Sequence, residues 1–259
     1  MKTVLITGAA SGLGWELAQR LHARGHRLLL VDRDAALLEQ RQSALPGVQI
    51  QVGDLCDRDF VESLPAAAEA TFGGLDWLFN NAGITHRSPI RETDPEVMLR
   101  VMTVDWQAPV LLTRAAWPLL AASRGSVINI GSMAGWMPVP GRAAYCAAKA
   151  ALAQFFEVLR LEAEADGVQV LNVYPSFLDT PIEKNALGGD GRPAGHARST
   201  VGKIRGADWM AERILQALKA GKPWIFGDGV SVLGSLLWRI APRLYLRQAR
   251  KRFATELAR

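Results

Sequence analysis

The chain opens with Lys2-Thr-Val-Leu-Ile-Thr7, an apolar run of strand length, which passes without a linker into Gly8-Ala-Ala-Ser-Gly12-Leu-Gly14 and then into a helical pattern from Trp15 to Arg24. No other stretch restricts the fold as much. Gly8 supplies a tight turn, Gly12 lets a backbone approach a pyrophosphate, and Gly14 allows the helix to pack closely, its first N–H groups open to an anion. The next apolar run, Arg27-Leu-Leu-Leu-Val-Asp32, ends in a carboxylate, about twenty residues beyond the glycines, where a dinucleotide fold places the acceptor for a ribose 2′-hydroxyl. These two linked signals predict a dinucleotide site in which Ser11 and Leu13 lie between the glycines and Arg33 lies beside the carboxylate.

The rest of the sequence alternates strand and helix. Strands are expected near residues 3–7, 27–32, 48–53, 75–80, 125–131, 168–173 and 223–226, with helical patterns between them. Such alternation implies a single-domain α/β Rossmann fold: a doubly wound, seven-stranded parallel sheet with helices on both faces and a crevice at the strand carboxyl ends. Gly8, Asp32, Asn81, Ser132 and Pro175 fall at or just beyond those ends. Thr93-Asp-Pro-Glu96 reads as a capping box for a long helix that Pro109 and Pro118 should kink or interrupt. At 259 residues and 49% hydrophobic, the chain suits one large domain, residues 1–226, with a carboxy-terminal extension, 227–259. Neither a linker nor a solenoid-length repeat divides it.

Chemistry enters at Ala143-Ala-Tyr-Cys-Ala-Ala-Lys-Ala-Ala-Leu152, a helix-forming stretch that puts Tyr145 and Lys149 on one face, one turn apart. A phenol with a pKa of about 10 is a poor acid or base near neutrality; an adjacent ammonium favours the phenolate and brings it toward working range.

From about Lys2 to Phe226 the chain resembles the short-chain dehydrogenase/reductase family. Thr7 to Gly14 is similar to the family's TGxxxGxG, Asn80-Asn81-Ala82-Gly83 to its NNAG, and Ser132 lies thirteen residues before Tyr145, the family's usual separation. The resemblance implies reversible hydride transfer between a nicotinamide and a small hydrophobic secondary alcohol or ketone. Tyr145 would exchange the proton, Ser132 would hydrogen-bond the substrate oxygen, and Lys149 would depress the tyrosine pKa and hold the nicotinamide ribose. Asp54, followed by Leu55, stands where an acidic residue contacts the adenine; Asn81, Ala82, Gly83, Pro175 and Thr180 complete the implied cofactor contacts. The resemblance also implies a homodimer or homotetramer.

Two positions depart from the family. Asp105, in Val101-Met-Thr-Val-Asp-Trp106, replaces an asparagine that normally holds a water beside the lysine. A carboxylate accepts but cannot donate as an amide does; if it pairs with Lys149 the lysine's influence on Tyr145 is weakened, so activity with an altered proton path is expected. Pro175-Ser176 replaces Pro-Gly. Asp32 favours NAD over NADP because its charge repels a 2′-phosphate, Arg33 being the residue that would admit one. A regulator that binds NAD(H) without turnover and a membrane-recruited scaffold are the alternatives.

Trp106, Trp136, Met137 and Phe177 suit an apolar substrate or the core. Residues 183–206, with Gly188-Gly189-Asp190-Gly191, read as a mobile segment closing over the crevice, and His196 within it as a solitary loop residue. Cys56 and Cys146 follow no metal-ligand spacing, so no metal is expected and the compartment is reducing; Cys146 is either a small core residue or a reactive thiol. Beyond Phe226, Val230, Leu233, Leu237, Ile240 and Leu244 recur at helical spacing beside Arg239, Arg243, Arg247 and Arg250, with Lys251 and Arg252 extending the basic stripe. Peripheral membrane contact through 229–259 and packing on a partner subunit both fit. The ten uncharged residues between Asp228 and Arg239 fall short of the roughly twenty a span needs. Without any nucleic-acid-binding signature, the net charge of +5 does not indicate a nucleic-acid partner. A cytoplasmic location, free or peripheral to a membrane, is expected.

Overall fold

The structure is a computed structural model that describes residues 1–195 and 203–254; the expectation for His196 and the end of the tail lie outside the described residues. Strand β1 (Thr3–Thr7) is buried at every position and leads through the glycine turn into helix α1 (Gly12–Ala23). Strand β2 (Arg27–Asp32) is followed by helix α2 (Ala35–Ala44), whose amino terminus is capped by Asp34 accepting from the Leu37 amide. After β3 (Gln49–Val52) comes α3 (Arg58–Phe72), capped by Asp57, and then β4 (Trp77–Asn80). Helix α4 (Pro95–Met102) and helix α5 (Ala108–Ser123) are joined by a π-helical turn, Thr103–Gln107. Strand β5 (Ser126–Ile130), helix α6 (Ala143–Glu162) and strand β6 (Gln169–Tyr174) follow, then the two-residue strands β7 (Leu178–Asp179) and β8 (Arg205–Gly206), which pair with each other. Helix α7 (Ala207–Lys219), strand β9 (Trp224–Phe226) and helices α8 (Gly229–Ile240) and α9 (Pro242–Arg252) complete the described chain.

Seven strands form one parallel sheet in the order β3-β2-β1-β4-β5-β6-β9, as expected. Alternate side chains divide between two apolar layers. Val4, Ile6, Leu28 and Leu30 pack beneath α1 and α7 against Leu17, Met210 and Ile214. Leu5, Leu29 and Leu78 face α3, α5 and α6 against Leu64, Leu112 and Phe156. Strand order reverses between β1 and β4, so their loops diverge there and leave a crevice.

Several local expectations are corrected. Asp94, not Thr93, caps α4, accepting from the Glu96 amide, while Thr93 Oγ1 bonds Ser88 and the Pro89 carbonyl. Pro109 sits in the first turn of α5, where its missing N–H costs little after the π-turn, and α5 runs on through Pro118. The described part of 183–206 is tied down rather than free: Leu187 exchanges backbone bonds with Thr85 and Arg87, and Gly189 accepts from Asp94. In the tail, Leu237 turns inward with Trp238 against Met137, Val139, Tyr245 and Phe253, while Leu236 joins Val230, Leu233 and Ile240 outside.

Candidate active site

The glycine turn has no room for side chains. A Cβ on Gly14 would lie 2.1 Å from the Gly8 carbonyl, and one on Gly8 would lie 2.8 Å from the Ala82 Cα at a φ of +66°. Asn81 explains the close approach: its side-chain amide donates to the carbonyls of Thr7 (2.8 Å) and Gly8 (3.2 Å), while Thr7 Oγ1 accepts from the amides of Asn81 and Ala82. The NNAG segment therefore clamps the turn after β1 to the turn after β4. At the end of β2 the Asp32 carboxylate accepts from the amides of Ala10 (3.0 Å) and Asp34 (3.1 Å), which fixes its position at the cavity wall. Asp54 accepts from Cys56 and lies 3.6 Å from Arg100; partial burial opposes ionisation, but those contacts and Arg33 hold its carboxyl below the usual range.

A cavity of about 360 Å³ begins at this turn and ends at Ser132 and Tyr145. Of the residues expected at the site, all but Gly14 and Asp105 line it. Ser132 caps a 3₁₀ turn, Met133–Gly135, its oxygen accepting from the Ala134 amide and leaving the hydroxyl proton free to be donated. Lys149 Nζ lies 5.7 Å from the centroid of the Tyr145 ring and donates to the Ile130 carbonyl (3.1 Å).

Asp105 lies behind this pair, fully buried, brought inward by the π-turn. Its Oδ2 is 3.1 Å from Lys149 Nζ, and its Oδ1 accepts from the Ile84 amide at 2.8 Å. Burial pushes the Asp105 carboxyl up, opposed by the Lys149 charge. Tyr145 is pushed up as well, first by burial and then by the Asp105 carboxylate, with a hydrogen bond from Ser132 opposing. The expectation that Lys149 brings the phenol toward neutrality is thus corrected: the carboxylate partners the ammonium and adds its own field at the phenol.

Two supports for α6 carry no sequence signature. Asn80, Asn129 and Asn172 share one register across β4, β5 and β6 and form a buried chain of amides, Asn80 donating to Asn129 (2.8 Å) and Asn129 to Asn172 (3.1 Å). Asn172 ends the chain by donating to Glu157 of α6 at 2.7 Å. At the other end of the helix, buried His86 accepts from the Ala144 amide through Nε2 (3.2 Å) and contacts Ser88 through Nδ1 (3.3 Å). Burial, with the Arg142 charge adding, lowers its pKa to about 4. His86 thereby fixes the backbone beside Tyr145.

Beyond Ser132 and Tyr145, Met137 and Phe177 line the cavity with Met133, Ile182 and Leu187. Trp136 instead packs edge-on against Tyr174 (5.2 Å) and Phe226 (5.3 Å), and Trp106 lies in the core. Ser231 and Phe253, from the tail, also reach the wall. Burial pushes the Cys146 thiol up, which argues for the core reading. The Cβ-excluding turn, the unpaired amides at the start of α1 and the fixed carboxylate of Asp32 fit a dinucleotide.

Comparison with known proteins gives a consistent picture. The family described as short chain dehydrogenase matches residues 2–189. The Bos taurus protein "Dehydrogenase/reductase SDR family member 7B" is 37% identical over 256 residues, covering 94% of this chain and 79% of its own length. The Drosophila melanogaster protein "Dehydrogenase/reductase SDR family protein 7-like" is 33% identical over 254 residues, covering 94% and 78%. Among solved structures, a short-chain dehydrogenase from Streptomyces avermitilis superposes with a TM-score of 0.83 at 27% identity, covering 96% of this chain and 97% of that one.

Proposed function

The chain belongs to the short-chain dehydrogenase/reductase family, and on that premise we propose that it is an NAD-dependent oxidoreductase acting on a hydrophobic secondary alcohol or ketone. The observation that carries this reading is the single cavity wall shared by the glycine turn, Asp32, Ser132, Tyr145 and Lys149.

When bound, the dinucleotide supplies or accepts the hydride. The turn from Gly8 to Gly12 and the first amides of α1 would hold its pyrophosphate, Asp32 its adenosine ribose and Lys149 its nicotinamide ribose. Asp32 places a negative charge where a 2′-phosphate would sit, which supports NAD over NADP. Tyr145 gives its phenolic proton to the substrate oxygen when a ketone is reduced and takes one back when an alcohol is oxidised. Ser132 donates a hydrogen bond to that oxygen as negative charge gathers on it. Burial and Asp105 keep the phenol protonated at neutral pH, the form that ketone reduction consumes. Met137, Phe177 and Leu187 exclude water and select an apolar substrate body.

Turnover of a panel of hydrophobic ketones and secondary alcohols tests the reading. Tyr145→Phe should lower kcat by about 10²- to 10⁴-fold with NAD still bound. Asp105→Asn removes a negative charge and releases Lys149, so the acid limb of the kcat/KM profile for alcohol oxidation, which reports Tyr145 losing its proton, should move toward lower pH. Turnover indifferent to Tyr145→Phe would refute the assignment.

A further inference from the structure

Helix α8 is packed inside out. Its buried positions are Ser231 and Ser235, and between them Gly234 leaves only 3.2 Å between a built Cβ and the Met137 sulfur. Leu237 and Trp238 pack inward, but four other large apolar side chains face solvent: Leu233 is 67% exposed and Ile240 81%, with Val230 and Leu236 about half exposed. Their spacing of three to four residues places them on one face. On α9, Leu244 and Leu246 are also close to half exposed, one on each side of an inward face of Tyr245, Ala249 and Phe253. Clustered large apolar residues exposed at such density mark a surface that another phase or molecule covers.

Charge selects the occupant. From Gly229 to Thr255 the chain has six cations, at positions 239, 243, 247 and 250–252, and no acidic residue; this segment alone exceeds the +5 of the whole chain. Arg239 lies over the Trp136 ring, but a two-fold contact with a second copy through this face would still set the cations of α9 against their like, a repulsive arrangement. An anionic lipid surface offers the opposite sign together with an apolar layer, and each cation near it strengthens partition by about fivefold at low salt. No helix among the described residues is long and apolar enough to cross a membrane, so the contact is interfacial.

We propose that α8 and α9 dock the protein on anionic membranes, with Val230, Leu233, Leu236 and Ile240 entering the headgroup boundary and the arginines engaging phosphates. Ser231 of α8 and Phe253, just after α9, reach the cavity wall, and Met137 and Val139 pack against this tail, so docking brings the apolar end of the cavity toward the lipid. The docking does not depend on the proposed reaction and is read without it.

Co-sedimentation of the full chain with vesicles tests the inference. Binding is expected to mixed phosphatidylcholine and phosphatidylglycerol, at least tenfold weaker to phosphatidylcholine alone, and weakened by salt. A Leu233→Gln, Leu236→Gln, Ile240→Gln triple variant and an Arg243→Gln, Arg247→Gln, Arg250→Gln triple variant should each bind at least tenfold more weakly with unchanged melting temperature. If the first triple variant does not fold, Ile240→Gln alone, at the most exposed position, should still weaken binding by about threefold. No binding to the anionic vesicles would overturn the proposal, as would binding that the variants leave intact. A lipid-free oligomer that the leucine variant dissociates would overturn it in favour of a second copy of the chain.

Discussion

His86 shows how one side chain can bear on a site it does not enter. Its Nε2 must stay unprotonated to accept the Ala144 amide, one residue before Tyr145, and burial with Arg142 nearby enforces that by lowering its pKa to about 4. Because the folded value lies below the ordinary 6.5, the folded state resists protonation: the stability it contributes is whole above pH 6.5 and is lost as pH falls toward 4. Between pH 7.5 and pH 5 the wild type should lose about 2 kcal/mol from this group, whereas His86→Gln, whose amide oxygen accepts without titrating, should lose that much less. Urea midpoints at the two pH values give the comparison, and equal losses in both proteins would remove His86 from this role. Asp105 was legible in the sequence as a departure, and its pairing with Lys149 was one of the outcomes that departure allowed. Nothing in the sequence singled out His86, since a lone histidine in a turn has no spacing signature.

Among the elements, the amide chain across β4, β5 and β6 does for α6 what His86 does for its amino terminus. Each asparagine is apart from the next by more than forty residues, and only the parallel register places them side by side. Asn129→Leu keeps the volume but leaves Asn172 Oδ1 without its donor, and Asn80 Nδ2 with only Thr113 as acceptor. A buried polar group stranded in this way costs about 1 to 3 kcal/mol, so the chemical denaturation midpoint should fall accordingly with an unchanged m-value. A variant as stable as the wild type would show that the chain of amides carries no net weight. The π-turn is a second element-scale device: five residues wound more loosely than an α-helix turn Asp105 inward onto Lys149, just before Pro109, which lacks the amide a regular helix would use there. Of the two prolines expected to interrupt the helix only Pro109 sits at the break, and nothing in the sequence shows that the break is a widened turn aimed at Lys149.

For the whole molecule, cofactor selection and tail packing meet in one cavity. NAD at one hundred times its Kd should stabilise the fold by about 2.7 kcal/mol, which for a chain of this size raises the melting temperature by roughly 5 to 10 °C. The same concentration of NADP should give the smaller shift, because Asp32 is held at the wall by two backbone amides and cannot swing away from a 2′-phosphate. Equal shifts in a thermal melt would sink the assignment of Asp32 as the discriminating charge. The parallel sheet, the glycine turn, the acidic end of β2 and the pairing of Tyr145 with Lys149 were legible in the sequence, because periodicity, turn sterics and helical spacing are properties of residues close together in the chain; Ser132 was legible only through the family resemblance. Tertiary structure alone decided that Asp105 takes the lysine's charge, that Trp106 and Trp136 serve the core, that His86 and the asparagines brace α6, and that Phe253 reaches the cavity wall. Those outcomes depend on strand register and helix docking, which join residues tens to more than a hundred positions apart.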